Sequence, residues 1–247
     1  MDFIFKENMY AIFTHHDDAY QELAEFTWRQ NKLIYAKKHG YDVYARTENF
    51  VTADGKVPMT GFEKLYIAKD LLEKHPEYKW VWWTGTDSLI TNMNVRIEDR
   101  VLNQYHFIVS TDVNGINADS FLLRNSPEGL KFLDEWLETE EECSKFWDAE
   151  QRALALMLGL PVTADASWAP PGPIEIAEKY QSIVKLVPQR YLNAYNYSLY
   201  GGQYPDQRDK LGVNGNWSFG DWLIHWPGTP LQMRLELVKY YIAHVMR

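Results

Sequence analysis

A chain of 247 residues, 46% hydrophobic and 24% charged, holds enough apolar matter for one large α/β domain or two small ones. Its formal charge of −9 speaks against the basic groove of a nucleic-acid binder, and its one cysteine, Cys143, excludes an intrachain disulfide framework and a Cys-based zinc site. Aromatics reach 15%, with 10 Trp and 16 Tyr, which favours a very aromatic core or a site that stacks on flat ligands such as sugars and bases.

The first residues, MDFIFKENMYAIFTHHDD, lack a basic segment followed by a long apolar one, so they do not read as a signal peptide. No apolar run approaches the roughly 18–20 residues that cross a bilayer. The expectation is a cytoplasmic protein, or a soluble catalytic fragment of a membrane-anchored one. Tyr10 to Phe13 is a short apolar run with Thr14 at its end, and reads as a strand followed by a loop. Helical spacing follows from about Tyr20 to Lys38, with Leu23, Phe26, Leu33 and Ile34 on one stripe. His39-Gly40 ends it. Tyr41 to Ala45 is the next strand, so the chain opens β-α-β. Glu48 to Met59 reads as a polar loop, and a second helix runs from about Phe62 to Lys74.

Trp80-Val81-Trp82-Trp83 is a continuous apolar run, the pattern of a strand buried on both faces. It breaks at Gly85 and delivers Thr86, Asp87 and Ser88. On the residues alone, Asp87 reads equally as a turn or cap acid or as an acid at the carboxyl edge of a sheet, where open α/β folds bind ligands. Neither a G-x-G-x-x-G after the first strand nor a phosphate-binding G-x-x-x-x-G-K-[ST] is present.

Phe107 to Asp112 is another strand, and Ala118 to Arg124 returns after the turn Asn114-Gly115. A helix begins with Ser126 as N-cap and Pro127 in its first turn. The acidic run Glu138 to Glu142 reads as a solvated helix end or loop. A helix follows over Asp148 to Leu158. Residues Pro161 to Pro173, with Trp168 among them, have the composition of a mobile loop or lid. Val184 to Val187 is a strand, Gly201 to Asn216 a Gly- and Asp-rich loop, and Trp222 to Gly228 a strand ending in His, Pro and Gly. The tail, Thr229 to Met246, is an amphipathic helix. There is no internal repeat or linker, so residues 1–247 are expected to form one domain.

Polar residues therefore gather at strand ends: Thr14, Asp87, Asp112 and His225. Asp87 and His225 suit Mn²⁺ or Mg²⁺ better than a soft metal, although a lone His at a strand end is also an ordinary structural residue. Motifs along most of the chain carry a resemblance. NKLIYAKKHGYDVY, GFEKLYIAKDLLEKHPEYKWVWWTGTDSLITNM, GINADSFLLRNS, DAEQRALALML and LIHWPG occur in the order and spacing of a known group. The chain resembles the metal-dependent glycosyltransferases of the GT-A fold, and more closely glycosyltransferase family 34, with its galactosyl-, xylosyl- and mannosyltransferases. The resemblance implies an α/β fold: a single Rossmann-like domain with a mixed, mostly parallel central sheet flanked by helices.

It also implies roles. The family's D-x-D falls on Gly85-Thr86-Asp87, so the second acid is kept as Asp87 and the first is replaced by Gly85. His225 matches the C-terminal metal-ligand His, and Gly228 the Gly beside the diphosphate. Lys64 matches a Lys that could meet phosphate, and reads otherwise as a surface Lys. Thr14 and Tyr35 would flank the uracil or ribose. Asn117, Asp119 and Ser120 would lie where donor sugar and acceptor meet, and the family has small residues where Asp119 stands. Glu150-Gln151 matches an acid–Gln pair near the anomeric carbon, while Glu150 alone would read as a helix N-terminal acid. Trp168 and Trp217 could cover the donor. The implied activity is retaining transfer from a UDP-sugar to a glycan hydroxyl, assisted by Mn²⁺ or Mg²⁺. The missing first acid keeps open a domain that only binds a nucleotide sugar or glycan. A nucleotidyltransferase is disfavoured because Thr14-His15-His16-Asp17-Asp18 has neither Gly nor Lys or Arg.

Overall fold

The computed structural model describes residues 9–166 and 168–245. Met246 of the expected tail helix and Ser167 of the expected lid lie outside the described residues. The strands are β1 (Tyr10–His15), β2 (Asp42–Arg46), β3 (Trp80–Thr84), β4 (Ser88–Ile90), β5 (Phe107–Thr111), β6 (Ile116–Arg124), β7 (Val184–Val187), β8 (Ala194–Tyr195) and β9 (Leu223–His225). A six-stranded sheet has the order β2-β1-β3-β6-β5-β7. β1 runs parallel to β2 and β3, and β5 parallel to β7. Only β6 is reversed, pairing antiparallel with β3 and β5. The sheet is thus mixed and mostly parallel, and the returning strand after Asn114-Gly115 is the reversed one.

The apolar runs are continuous because helices cover both faces. The main helices are α1 over 21–39, α2 (Glu63–Lys74), α3 (Pro127–Leu137), α4 (Ala149–Met157) and α5 (Leu231–Val245). Phe13, Val81, Trp83, Phe107 and Phe121 point to the face of α2, α3 and α4. Their neighbours Ile12, Trp80, Trp82, Ile108 and Leu122 point to the face of α1. This is the period-two alternation of strands. All five residues of β3 are buried. Trp82 stacks on Trp222 with ring centroids 4.3 Å apart.

Beside the large sheet lies a small one, in the order β4-β9-β8. It packs Leu89, Ile224 and Trp226 against Leu23 of α1 and Leu235 and Val238 of α5. Sequence reasoning has no counterpart for β4 or β8, which are only three and two residues long.

Two expectations need correction. The stripe expected on α1 fails in its second half, where Ile34 is 56% exposed. Residues Glu25–Lys32 form a π-helical segment, and each i→i+5 bond takes in one residue more than an α-turn. The buried face is thereby advanced to Thr27, Trp28, Asn31, Lys32, Tyr35 and Ala36.

The acidic run is also not simply solvated. Glu140 begins a short helix (Glu140–Cys143) and is buried. Its carboxylate accepts from Met59 N at 2.7 Å and Tyr66 Oη at 2.9 Å, and pairs with Lys56. Burial pushes this carboxyl up, but Lys56, the Met59 N–H and Tyr66 outweigh it and leave the group below its ordinary value of 4.5. A depressed carboxyl stabilises the fold above that ordinary value and stops doing so as pH falls through its lower folded value. Glu140→Ala should cost about 2 kcal/mol at neutral pH, since it strands a buried N–H. Denaturant melts should show the gap to the wild type closing at pH values below 4.5.

Candidate active site

The chain crosses from the large sheet to the small one in a single tight turn, residues 84–88, and this turn is held from every side. Thr14 Oγ1 donates to Thr84 O at 2.9 Å, and Ser88 Oγ donates to Gly85 O at 2.8 Å. Lys32, delivered by the π-helical segment, donates to Gly85 O at 3.0 Å and Ser88 O at 2.7 Å. Burial pulls this lysine down to about 7, against the pull of Asp87 and Asp119. Asn31 holds the next strand, accepting from Ile90 N and donating to Ile90 O. Antiparallel pairing of β4 with β9 then sets Ser88 opposite His225, and Trp226 N donates to Asp87 O at 3.1 Å. Pairing of β3 with β6 sets Thr84 opposite Ser120, which brings Asp119 to the same edge.

The turn before β4, the body of β6 and the end of β9 thus deliver Asp87, Asp119 and His225 to one place. Their ligand atoms all lie within 4.8 Å of one another. His225 Nε2 sits 3.2 Å from Asp87 Oδ1 and 3.1 Å from Asp119 Oδ2, yet makes a hydrogen bond to neither. Burial works against a charged ring here, but Asp87 and then Asp119 outweigh it and hold His225 up at about 9. Burial also pushes Asp87 up, and His225 and Arg234 more than reverse this, keeping it well below the usual carboxylate range. Asp119 moves the other way, raised by burial and by the charge on Asp87. Two carboxylates and an imidazole without a hydrogen-bond partner are a hard-to-borderline donor set, and they fit Mn²⁺ or Mg²⁺.

This cluster lines a cavity of about 670 Å³. Thr86, Asn117, Glu150, Gln151 and Gly228 line it too, with Trp147, Trp168, Tyr200 and Tyr204. Glu150 is fixed by Lys64, whose Nζ lies 2.8 Å from Glu150 Oε1 and 3.2 Å from Ala118 O. Gly61, with φ of 98°, backs this carboxylate: a Cβ there would fall on Oε2 and lie 3.0 Å from Cδ. Gln151 Oε1 accepts from Ala118 N at 3.1 Å, on the strand that carries Asp119.

Of the residues singled out in sequence, Thr86, Asp87, Asn117, Asp119, Glu150, Gln151, His225 and Gly228 meet in the cavity. Others turn inward. Thr14 is spent on Thr84 O, Ser120 accepts from Trp82 Nε1 at 3.1 Å, and Tyr35 donates to Val95 O in the aromatic core under α1. Lys64 is not a surface residue: it is buried and paired with Glu150. Trp217 packs on Tyr241 and donates to Thr91 Oγ1, away from the cavity lining. In the 161–173 loop, Ala169 O and Pro170 O accept from Lys210 Nζ. Sequence reasoning missed Arg234. It lines the cavity from the first turn of α5, 3.0 Å from Asp87 Oδ2, and donates to Trp226 O and Tyr20 Oη. Nothing in a helical pattern marks one arginine as a site residue.

The profile of the galactosyl transferase GMA12/MNN10 family matches residues 9–106 and 103–228. The chain belongs to this family. Among its relatives is an uncharacterized alpha-1,2-galactosyltransferase of Schizosaccharomyces pombe, 27% identical over 238 residues, covering 81% of this chain and 54% of the relative. A xyloglucan 6-xylosyltransferase of Arabidopsis thaliana is 32% identical over 117 residues, 43% of this chain and 24% of that one. The chain therefore spans about half, or less, of the length of these relatives. In structure it is similar to a glycosyltransferase involved in the glycosylation of the major capsid of PBCV-1, with a TM-score of 0.65, 15% identity, and 94% of this chain and 98% of that one covered. The fold is that of the GT-A glycosyltransferases. Among the described residues of this family member, no helix is long and apolar enough to cross a membrane.

Proposed function

We propose that this domain transfers a hexosyl or related sugar from a UDP-sugar to a hydroxyl of a glycan acceptor, with retention of anomeric configuration. The observation that carries the reading is a juxtaposition. Asp87 and His225, whose donor atoms suit a divalent cation, share one cavity with the acid–amide pair Glu150 and Gln151. The galactosyl- and xylosyltransferase names of its relatives support sugar transfer and leave the sugar open.

Asp87 and His225 would hold Mn²⁺ or Mg²⁺, which when bound supplies positive charge to stabilise a departing diphosphate. The remaining work falls to the chain itself. Gly228 and the Arg234 guanidinium stand on the cation's side of the cavity and are proposed to meet the diphosphate. Glu150 and Gln151 orient the sugar and face the cationic character that develops at its anomeric carbon. Thr86 and Asn117 place the donor. The aromatic walls from Trp168, Tyr200 and Tyr204 exclude water, which would otherwise hydrolyse the donor.

A thermal-shift screen of nucleotide sugars with Mn²⁺ tests this. Saturation at about 100 times the dissociation constant adds about 2.7 kcal/mol, or roughly 5–10 °C in a chain of this size. UDP-sugars should give that shift with the cation and much less without it. Preference for another nucleotide would overturn the donor assignment. NMR of the product should show the donor's anomeric configuration kept, and an inverted linkage would overturn retention. Donor hydrolysis, even slow, separates an enzyme from a domain that only binds.

A further inference from the structure

Gly85 and Asp119 face each other across the pairing of β3 with β6, and Gly85 N donates to Asp119 O at 3.1 Å. A Cβ built on Gly85 would fall on Asp119 Oδ2 and lie 2.8 Å from its Cγ. The Asp119 carboxylate therefore fills the room in which a side chain at position 85 would begin. Close-packed atoms cannot share that room, so any side chain at 85 would displace it.

The resemblance implies the same exchange from the other direction. The pattern that the chain resembles places an acid at position 85 and a small residue at position 119. Here the small residue is Gly85 and the acid is Asp119. In the fold these two positions meet at one location, so an acid on either strand would set its carboxylate beside Asp87 and His225.

We propose that Asp119 is the third ligand of a divalent-cation site with Asp87 and His225, and that Gly85 is the residue that admits it. This rests on the metal-assisted reading of the cavity and deepens it by assigning the acid that the D-x-D position lacks. A second observation points to a cation. His225 is 2% exposed, and its Nε2, set between the two carboxylates, has no hydrogen-bond partner. Oxygen and imidazole donors in this combination suit Mn²⁺. On this assignment Asp119 serves the cation rather than the acceptor sugar. The replacement at Gly85, the one feature favouring a domain that only binds, becomes half of a compensated pair.

Calorimetric titration of Mn²⁺ into the metal-free protein tests the exchange without any appeal to activity. Asp119→Ser should weaken Mn²⁺ binding by at least about tenfold, the lower end of what even a ligand's supporting partners are worth. Gly85→Asp should also weaken it, because two carboxylates then compete for one place. The double variant Gly85→Asp/Asp119→Ser should recover most of the loss, since it moves the acid back to the other strand. Melting curves without metal show that each variant is folded. A folded Asp119→Ser that binds Mn²⁺ like the wild type, or a double variant no tighter than either single one, overturns the proposal. If Asp87→Ala loses Mn²⁺ while Asp119→Ser does not, only the exchange is lost. If the wild type binds no Mn²⁺, the metal-assisted reading is lost with it.

Discussion

Asp87→Asn is expected to lower sugar transfer by about a thousandfold, at the upper end of the effect of removing one preorganised electrostatic contact. The substitution keeps the side chain's size and removes its charge. Asp87 is the only acid of the 84–88 turn, and its two oxygens are divided between two partners, with Oδ1 toward His225 and Oδ2 toward Arg234. An amide there serves neither partner as a carboxylate does, and it offers a cation a weaker ligand. Calorimetry with UDP, with and without Mn²⁺, is the direct check. The wild type should bind UDP more tightly with the cation, and Asp87→Asn or His225→Ala should abolish that difference. If either variant keeps it, Asp87 and His225 do not hold the metal. The folded state should survive the change at residue 87. His225 still has Asp119 at 3.1 Å, and Arg234 keeps Trp226 O and Tyr20 Oη.

Much of this arrangement is legible in the residues. The strands of the large sheet announce themselves because a strand covered on both faces must be apolar throughout, as Trp80 to Trp83 are. Asp87 and His225 sit where those runs break, and the spacing of Glu150-Gln151 follows from the same resemblance. What the residues hide is register. No local pattern says that Ser88 will lie opposite His225, or that a three-residue strand forms there at all. The π-helical segment is hidden for the same reason. It shifts α1 so that the polar residues Asn31 and Lys32 turn inward to hold β4 and the 84–88 turn. Tyr35 moves with them, from an expected ligand contact to the core. Thr14 and Ser120 lie close to the site in sequence logic, but each answers a buried backbone or indole group first. A buried polar atom without a partner costs more than a contact to a passing ligand returns. The conversion of Glu140 from an expected solvated acid to a buried one depends on Lys56, Met59 and Tyr66, all far away in the chain.

The pair formed by Glu150 and Lys64 gives the second large expected effect, because here stability and chemistry can be pulled apart. The side chains are 17% and 6% exposed, and the charged atoms are 2.8 Å apart. Glu150→Ala strands the lysine in a poorly solvated place, leaving it Ala118 O and the face of the Trp83 ring but no carboxylate in contact. Removing one member of a fully buried pair costs about 3–5 kcal/mol; with Glu150 open to the cavity, about 2 kcal/mol is expected, or a melting temperature lower by roughly 4–8 °C. Glu150→Gln should lose less, since its amide oxygen can still accept from Lys64. Both variants should lose transfer activity by about a hundredfold or more, because an acid beside the reacting centre acts through its charge. Neither result alone says whether Glu150 acts on the sugar or only holds the site together. The double variant Lys64→Met/Glu150→Gln decides it. Replacing a buried ion pair by uncharged groups of similar size is often neutral for stability, so the melting temperature should return toward the wild type. If Glu150 were only a brace for Lys64, activity should return with it. On the proposed mechanism stability recovers and activity does not, because the carboxylate that faces the sugar is still absent. Recovery of both would remove Glu150 from the chemistry.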